Sequence, residues 1–434
     1  MSVRRISNAN KFLRKCSAVT PDAVPEEAVS TVPELPGPGF HPKDISPVRP
    51  SQPIAVLRVI TGSYVNSLLV VFPVAVASHI GDWGDMPVFV LNFLALVPLA
   101  NILGEATETL AEHCGDTIGG LINATFGNAV EVIIAVFALK KGEIALVQSS
   151  LVGSLLSNLL MVLGSCFVAA QLGGHHESAF NQFSAGTNMA LLFVTSFAML
   201  VPSYYQFKTT DDPIALAKAV LAISRISALF LIVMYIQLLV FQLWTHKDDA
   251  TGLTETLTND VQAVKTTDDH DGGHDHHEPE LSFWSGLLLL GVATVLVAVL
   301  SEFLVASVDG FTKTAGISHS FVGIILLPIV GNAVEHVTAI KVAYKNNMEL
   351  ALGVAVGSAA QISLFVVPFT VLAGWIMDQP MSLAFPTFEL VTYVSTVVIV
   401  YVILIDGRSH WLEGSMLLTL YCLIGVALLE VDVA

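Results

Sequence analysis

Hydrophobic residues are arranged along this chain in long runs that polar residues seldom interrupt. Eight runs are almost free of charge, at residues 64–77, 144–174, 184–206, 226–245, 281–300, 350–377, 390–405 and 416–429. Three more runs contain acidic or helix-breaking residues, at residues 86–112, 117–139 and 316–343. A membrane-spanning helix needs about 20 predominantly apolar residues. The pattern therefore predicts an all-α polytopic membrane protein with about eleven transmembrane helices.

The composition agrees with a protein that sits largely in lipid. Apolar residues make up 54% of the 434 positions, charged residues make up 13%, and the mean hydropathy is +0.71. A soluble protein normally carries roughly 25% charged residues. The net charge of −17 argues against nucleic acid as a partner, because binding to phosphates requires a basic surface. The four cysteines lie far apart and predict neither a disulfide framework nor a zinc ribbon.

Two polar segments lie outside the apolar runs. Residues 1–53 are rich in proline and are expected to be disordered, because such a chain has little apolar surface to bury. Their basic residues predict a cytosolic location. Residues 246–280 hold ten acidic and two basic side chains and are expected to form a solvated cytosolic linker. The linker histidines are His270, His274, His276 and His277. A disordered loop is favoured over a zinc site there, because no ligand spacing is imposed.

A five-residue sequence, Gly-Asn-Ala-Val-Glu, occurs once on each side of the linker. The copies begin at Gly127 and Gly331, an offset of 204, and a Val-Gly-Ser triplet recurs at the same offset. A looser match upstream contains Glu108 and Glu302. Three ordered matches indicate an internal duplication.

The duplication predicts how the membrane part is organised. We expect a first transmembrane helix at residues 54–80, a first transporter repeat at 84–245 and a second at 281–432. With five spans in each repeat, an odd number, the second repeat inserts upside-down relative to the first. Secondary transporters are often built from such inverted repeats, and their substrates bind near the bilayer midplane where the repeats meet.

The two motif glutamates, Glu131 and Glu335, carry the candidate chemistry. A charged carboxylate deep in the bilayer costs at least ~2.5–3.5 kcal/mol, so each needs a compensating cation or proton. A Gly-Asn pair loosens a helix, and Pro328 frees a further carbonyl; broken backbone is tolerated in a membrane where it lines a cavity. Carboxylates, carbonyls, hydroxyls and the amides of Asn128 and Asn332 form an all-oxygen set, which suits Ca²⁺. The site would then hold either one divalent ion or protons, which predicts a proton/cation antiporter.

The motifs resemble those of the cation/proton exchanger family in the Ca²⁺/cation antiporter superfamily. The resemblance is carried by NATFGNAVE at 123–131 with LKKGE at 139–143, and by PIVGNAVEH at 328–336. GSLLSN at 153–158 and GSAAQ at 357–361 complete it. It covers residues 55–432 and implies a lone first helix, then two inverted five-helix repeats. It also implies a vacuolar membrane location and Ca²⁺/H⁺ exchange.

The resemblance and the repeat symmetry together assign a set of site residues. The predicted cation- and proton-binding residues are Glu131, Glu335, Asn128, Asn332, Gly127, Gly331, Ser154, Ser157, Ser358 and Gln361. Glu108, Glu302 and His336 are expected to stand near the ion path. A neutral glutamine at position 361 fits proton coupling better than sodium coupling.

Other interpretations stay open at this point. The serines are also compatible with ordinary interhelical hydrogen bonds, and Glu108 and Glu302 with helix ends in the headgroup zone. His336 either relays protons or is satisfied by a carbonyl. A sodium-coupled exchanger and a cation channel are the rival functions. The chain contains no H-E-x-x-H and no G-x-S-x-G, so an enzyme is not predicted. We expect Ca²⁺ as transported substrate and no cofactor.

Overall fold

The computed structural model describes residues 51–206, 212–245 and 281–430. The predicted disordered tail up to residue 50 and the predicted linker with its histidine run lie outside the described residues. Apolar side chains point outward along most of the helices, as expected for a surface that faces lipid acyl chains.

Fourteen helices make up nearly all of the described part of the chain. In the first half they are α1 (Gln52–Thr61), α2 (Tyr64–Ile80), α3 (Asp85–Gly115), α4 (Ile118–Phe126), α5 (Ala129–Lys141), α6 (Ile144–Leu172), α7 (Gln182–Gln206) and α8 (Pro213–Thr245). In the second half they are α9 (Phe283–Ala315), α10 (His319–Gly331), α11 (Ala333–Tyr344), α12 (Met348–Ile376), α13 (Thr387–Leu404) and α14 (Trp411–Glu430).

These helices confirm the predicted fold class. Among the described residues, eight helices are long and apolar enough to cross a membrane, and three bent pairs raise the number of spans to eleven. The spans divide into the leading pair α1–α2, five spans from α3 to α8 and five from α9 to α14. In both sets of five, the second span is a bent pair, α4–α5 and α10–α11.

The leading span differs from the single helix predicted at residues 54–80. Its two halves meet at 89°. The break lies at Ser63, whose backbone is extended (φ −105°, ψ 139°) and whose hydroxyl accepts a hydrogen bond from the Val65 amide. A serine that bonds to nearby backbone competes with helix formation and starts a new helix instead. Apolar residues on both sides of the break hide it from a hydrophobicity pattern.

The two most deeply buried spans are α6 and α12, which follow the bent pairs. In each of these two helices, 83% of the most apolar stretch is buried inside the protein, whereas in α14 only 22% is buried. Both contain π-helical turns, at Ser157–Val162 in α6 and at Gly353–Gly357 in α12. The first helices of the two repeats, α3 and α9, pack along each other. The core is thus built around equivalent helices of the two halves.

At one end of the bundle, two short strands join the loops before α7 and before α14. Strand β1 (Ser178–Ala179) pairs antiparallel with β2 (Arg408–Ser409). An exposed ion pair of 2.8 Å between Arg408 Nη1 and Glu177 Oε1 lies beside the strands. These contacts tie the two repeats together at this face of the protein.

Candidate functional site

The two Gly-Asn pairs produce the bends in α4–α5 and α10–α11. Asn128 (φ −101°, ψ 21°) and Asn332 (φ −100°, ψ 6°) leave the helical conformation, and a new helix starts at the next residue. Neither asparagine side chain caps the helix that follows it. Both amides are therefore free of the usual capping role, and the glutamate of each motif falls in the first turn of the second half-helix.

The carboxylate of Glu131 reaches across to the motif of the other repeat. A Cβ atom built on Gly331 would lie 2.5 Å from Glu131 Oε1, so the glycine leaves the space that the carboxylate occupies. Glu131 is 9% exposed, and Oε2 has no hydrogen-bond partner among the residues that the structure describes. Glu335 lies one turn beyond Gly331 and is half-buried.

The two asparagines have different surroundings. The side-chain amide of Asn128 donates a 3.3 Å hydrogen bond to Gln361 Oε1 and a 3.4 Å bond to the carbonyl of Ala124. The first bond connects the first motif to α12 in the second repeat. Asn332 is fully buried, and within the described chain neither of its side-chain polar atoms has a hydrogen-bond partner. Because an unmade buried hydrogen bond costs about 1–3 kcal/mol, Asn332 fits a residue that binds a ligand.

One contact places a predicted serine beside this cluster. Ser157 Oγ lies 3.2 Å from Nε2 of His336, which joins α6 to α11. This contact gives Nε2 of His336 a hydroxyl partner. Ser154 is buried one turn earlier in α6, and Ser358 is half-buried in α12.

The donor set at the centre of the bundle consists of oxygen atoms and one imidazole. Among the described residues, no group of three or more His, Cys, Asp or Glu side chains is arranged to hold a metal ion. An ion at this site would thus rest on two carboxylates and neutral oxygens. Hard cations such as Ca²⁺ accept such ligands.

The pattern of bent helices, paired glutamates and repeated motifs has counterparts among known proteins. Residues 85–244 and 285–429 match the sodium/calcium exchanger protein family. This chain belongs to that family. The match covers both repeats and confirms the resemblance inferred from the motifs.

Relatives of this exchanger are similar over most of their length. The vacuolar calcium ion transporter of Schizosaccharomyces pombe is 41% identical over 370 residues, 85% of either chain. The Ca²⁺/H⁺ antiporter of Aphanothece halophytica is 41% identical over 362 residues, 83% of this chain and 94% of its own. The crystal structure of the Ca²⁺/H⁺ antiporter protein YfkE superposes with a TM-score of 0.67 at 32% identity, over 84% of this exchanger and 98% of that chain.

The upstream glutamates of the exchanger lie on the first helices of the two repeats, α3 and α9. Glu302 in α9 is 48% exposed and stands 3.7 Å from Lys140, at the far end of α5 from Glu131. Glu108 is half-buried in α3.

Two buried polar residues were given no role from the sequence. Asn158 follows Ser157 in α6, and in the described part of the chain neither of its side-chain polar atoms is hydrogen-bonded. Glu389 in α13 is 2% exposed, and its Oε1 accepts a 2.5 Å hydrogen bond from Ser149 Oγ. An acidic residue at the edge of an apolar run was the available signal for Glu389, but the run was taken to begin one residue later.

Proposed function

We propose that this exchanger is a secondary active antiporter that moves Ca²⁺ out of the cytosol in exchange for lumenal protons, across the vacuolar membrane. The observation that carries the proposal is the placement of the Glu131 carboxylate against Gly331 of the opposite motif, one turn before Glu335. Two carboxylates in a low-dielectric site need two positive charges. One Ca²⁺ or two protons supply them, so binding of either substrate displaces the other.

The neighbouring residues have distinct proposed roles. Glu131 and Glu335 bind the cation or the protons. Asn332, Ser154 and Ser358 supply neutral oxygens to the dehydrated ion. Asn128 and Gln361 hold the two repeats in register through their mutual hydrogen bond. Gly331 leaves its side-chain space to the Glu131 carboxylate, and Gly127 ends the first half of the bent pair α4–α5.

The choice of Ca²⁺ and protons as the exchanged ions is supported by the descriptions of the relatives and by the residues of the site. The relatives named above are described as calcium transporters or Ca²⁺/H⁺ antiporters, and the neutral Gln361 adds no third carboxylate for sodium ions. Sodium coupling is the second candidate, because the family also contains sodium/calcium exchangers. We further propose that the N-terminal tail and the linker are cytosolic, which places the start of α6 on the lumenal side.

The decisive experiment uses purified protein in liposomes with an acidic interior. We expect Ca²⁺ uptake that follows the pH gradient, stops when a protonophore collapses the gradient, and is the same with and without sodium. Each pH unit of gradient drives exchange with about 1.4 kcal/mol per proton. Uptake that requires sodium would favour the second candidate. Uptake that ignores both gradients would refute antiport.

The glutamates are tested in the same assay. Glu131→Gln and Glu335→Gln should each reduce exchange to the level of empty liposomes, because an amide can neither release a proton nor balance Ca²⁺. Glu177→Gln makes the same chemical change in an exposed ion pair and should retain transport. Size-exclusion profiles and melting temperatures establish that the variants are folded. Transport retained by either motif variant would contradict the proposed site.

A further inference from the structure

Glu389 is a buried carboxyl group to which the proposed exchange site assigns no role. It lies in the first turn of α13 and is 2% exposed. Its Oε1 accepts the hydrogen bond from Ser149 Oγ, and its Oε2 has no hydrogen-bond partner among the described residues. An ionised carboxylate offers about four acceptor positions. The described surroundings of Glu389 supply a donor to one of them.

The helices packed against Glu389 supply no positive charge. Helix α13 packs on α6 and α7, and the sequences of α6 and α7 contain no Asp, Glu, Lys, Arg or His residue. The remaining ionisable side chains of the three helices are uncharged at neutral pH; they are Cys166, Tyr204, Tyr205, Tyr393 and Tyr401. Arg408, in strand β2, lies beyond the other end of α13 and is paired with Glu177.

The loop between α12 and α13 is buried next to the Ser149–Glu389 contact. Gln148, the neighbour of Ser149, donates hydrogen bonds to the carbonyls of Ser382 and Ala384 in this loop. The one charged residue of the loop, Asp378, is acidic and exposed. The loop therefore adds cover to this region and no positive charge.

These surroundings favour the neutral acid form of Glu389. An ionised carboxylate without a countercharge is so costly to hold in an apolar site that the group takes up a proton instead. A protonated carboxyl group can bond to the Ser149 hydroxyl and needs no cation. Ionisation would leave a negative charge among apolar helices.

Ser149 connects Glu389 to the helices of the central site. A Cβ atom on Gly323 would lie 2.5 Å from Ser149 Cβ, so α10 packs directly on this turn of α6. Helix α10 leads to Gly331, and α6 continues to Ser154. A displacement of Ser149 would therefore act on two helices that carry predicted site residues.

The first repeat has no carboxyl group at the equivalent position. Helices α7 and α13 share a Phe-x-x-x-Thr sequence, which starts at Phe183 and at Phe388. On this alignment Ser184, which does not titrate, is the counterpart of Glu389. Inverted repeats place equivalent positions on opposite faces of the membrane. The acidic group thus belongs to one face only, which is the lumenal face in the proposed orientation.

We propose that Glu389 is a third proton-binding carboxyl group, neutral when the lumen is acidic, and that it positions α6 through Ser149. Loss of the proton in a neutral lumen would expel the carboxylate from its apolar site and displace Ser149. Exchange would then depend on lumenal pH through Glu389 as well as through the driving force. The effect on exchange rests on the proposed antiport function, whereas proton binding by Glu389 does not.

Infrared spectroscopy tests proton binding without relying on transport. A protonated carboxyl group has a C=O stretching band that an ionised carboxylate lacks. The difference between spectra of the parent protein and Glu389→Gln at acidic pH should contain this band. Glu177→Gln, which changes an exposed ion pair, is the control and should not remove a carboxyl band at neutral pH. A difference spectrum without the band would refute proton binding by Glu389.

Ser149→Ala is a second variant for the same measurement. It keeps the carboxyl group and removes its hydrogen-bond partner, so the C=O band should move to a higher frequency. A band that does not move would contradict the contact between Ser149 and Glu389.

The pH dependence of stability tests the same proton. A folded state that holds a proton which the unfolded chain releases loses stability as the pH rises. Above about pH 4.3, where a glutamate of the unfolded chain ionises, the melting temperature of the parent should therefore fall more steeply than that of Glu389→Gln. Glu177→Gln should follow the parent. Equal slopes for the parent and Glu389→Gln would contradict the proposal.

The positioning role is tested by Ca²⁺ uptake into liposomes whose interior pH is varied. The driving force is the same for both proteins, so the informative quantity is the rate of Glu389→Gln divided by the rate of the parent. This ratio should rise as the interior changes from acidic to neutral, by at most about tenfold per pH unit for one ionisable group. It should stay constant when the exterior pH alone is varied.

The possible outcomes separate the role of Glu389 from the proposed function. A ratio independent of pH on both sides, or a folded Glu389→Gln that is inactive at every pH, would overturn the positioning role. A ratio that follows the exterior pH alone would support the role and contradict the proposed orientation. The expected infrared and melting results in a protein that does not exchange Ca²⁺ for protons would support the proton site and contradict the proposed function.

Discussion

At the scale of single residues, Gly331 shows how a missing side chain shapes the central site. The glycine belongs to the second motif, yet the group that occupies its side-chain space is the carboxylate of Glu131 from the first motif. The equivalent Gly127 meets only its own helix, at the carbonyl of Asn123. The two halves of the site are thus related by sequence but are not identical in their packing.

Gly331→Ala is expected to impair transport strongly without unfolding the protein. The added methyl group would meet Glu131 Oε1 at 2.5 Å and push the carboxylate out of position. Overpacking of this kind costs about 1–3 kcal/mol, so Ca²⁺ transport should fall about tenfold or more in the liposome assay. Gly291→Ala, whose added methyl group has nothing within 4 Å, is the control and should be neutral. Equal activity of the two variants would contradict the packing described for Glu131.

Much of the central site was predictable at this scale, because its residues carry a repeated motif. The proposed roles of Glu131 and Glu335 followed from the cost of burying a carboxylate in lipid. The contacts between side chains of the site were not predictable, because the residues that meet are far apart in the chain. Asn128 and Gln361, for example, are separated by 233 residues. Ser157 and His336 are likewise 179 residues apart. Contacts between repeats depend on helix rotation, which a motif does not contain.

At the scale of helices, close backbone contact joins α6 to α10. A Cβ atom on Gly153 would lie 2.6 Å from both the Cα and the carbonyl oxygen of Ile324, and one on Gly323 would lie 2.5 Å from Ser149 Cβ. Glycines at both helices let the backbones approach as closely as small residues do in membrane helix pairs. This contact crosses between the repeats.

Gly153→Ala should therefore destabilise the fold. The added methyl group would meet backbone atoms of α10, which cannot rotate away as a flexible side chain can. We expect the free energy of unfolding to fall by about 1–3 kcal/mol, observed as a lower melting temperature of the purified protein in detergent. Gly186→Ala in α7 adds a methyl group to open space and should not lower it. A melting temperature for Gly153→Ala equal to that of the control would show that α6 and α10 are less tightly packed.

The positions of the helices were predictable from the apolar runs in the sequence, whereas the bends in the helices were predictable only in part. The Gly-Asn pairs indicated breaks before Glu131 and Glu335, and the structure bends there by 43° and 65°. The 89° bend at Ser63 was missed. A break between two apolar stretches leaves the average hydrophobicity unchanged, so only the backbone conformation reveals it.

At the scale of the whole molecule, the number of spans predicts where the ends of the chain lie. If each bent pair is one span, eleven crossings predict that the two termini lie on opposite sides of the membrane. Because the tail before α1 is basic, its end is expected in the cytosol. The end after α14 is then expected in the lumen.

Protease protection tests this arrangement. In sealed vacuolar vesicles with the cytosolic face outward, an epitope tag before Met1 should be digested and a tag after Ala434 should be protected. Detergent should make the second tag accessible. Digestion of both tags in intact vesicles would require an even number of spans and would contradict this arrangement of the termini.

The sequence by itself predicted about eleven spans, the duplication and the two candidate glutamates. These features can be recognised without the structure. A span is a continuous run of apolar residues, and a duplication is seen by comparing one segment of the sequence with another. Only the tertiary structure decided which side chains meet: Glu131 against Gly331, Asn128 with Gln361, and Ser149 with Glu389. Each of these contacts joins one repeat to the other. Their formation depends on how bent helices rotate and pack against each other, and that geometry arises from the whole bundle at once.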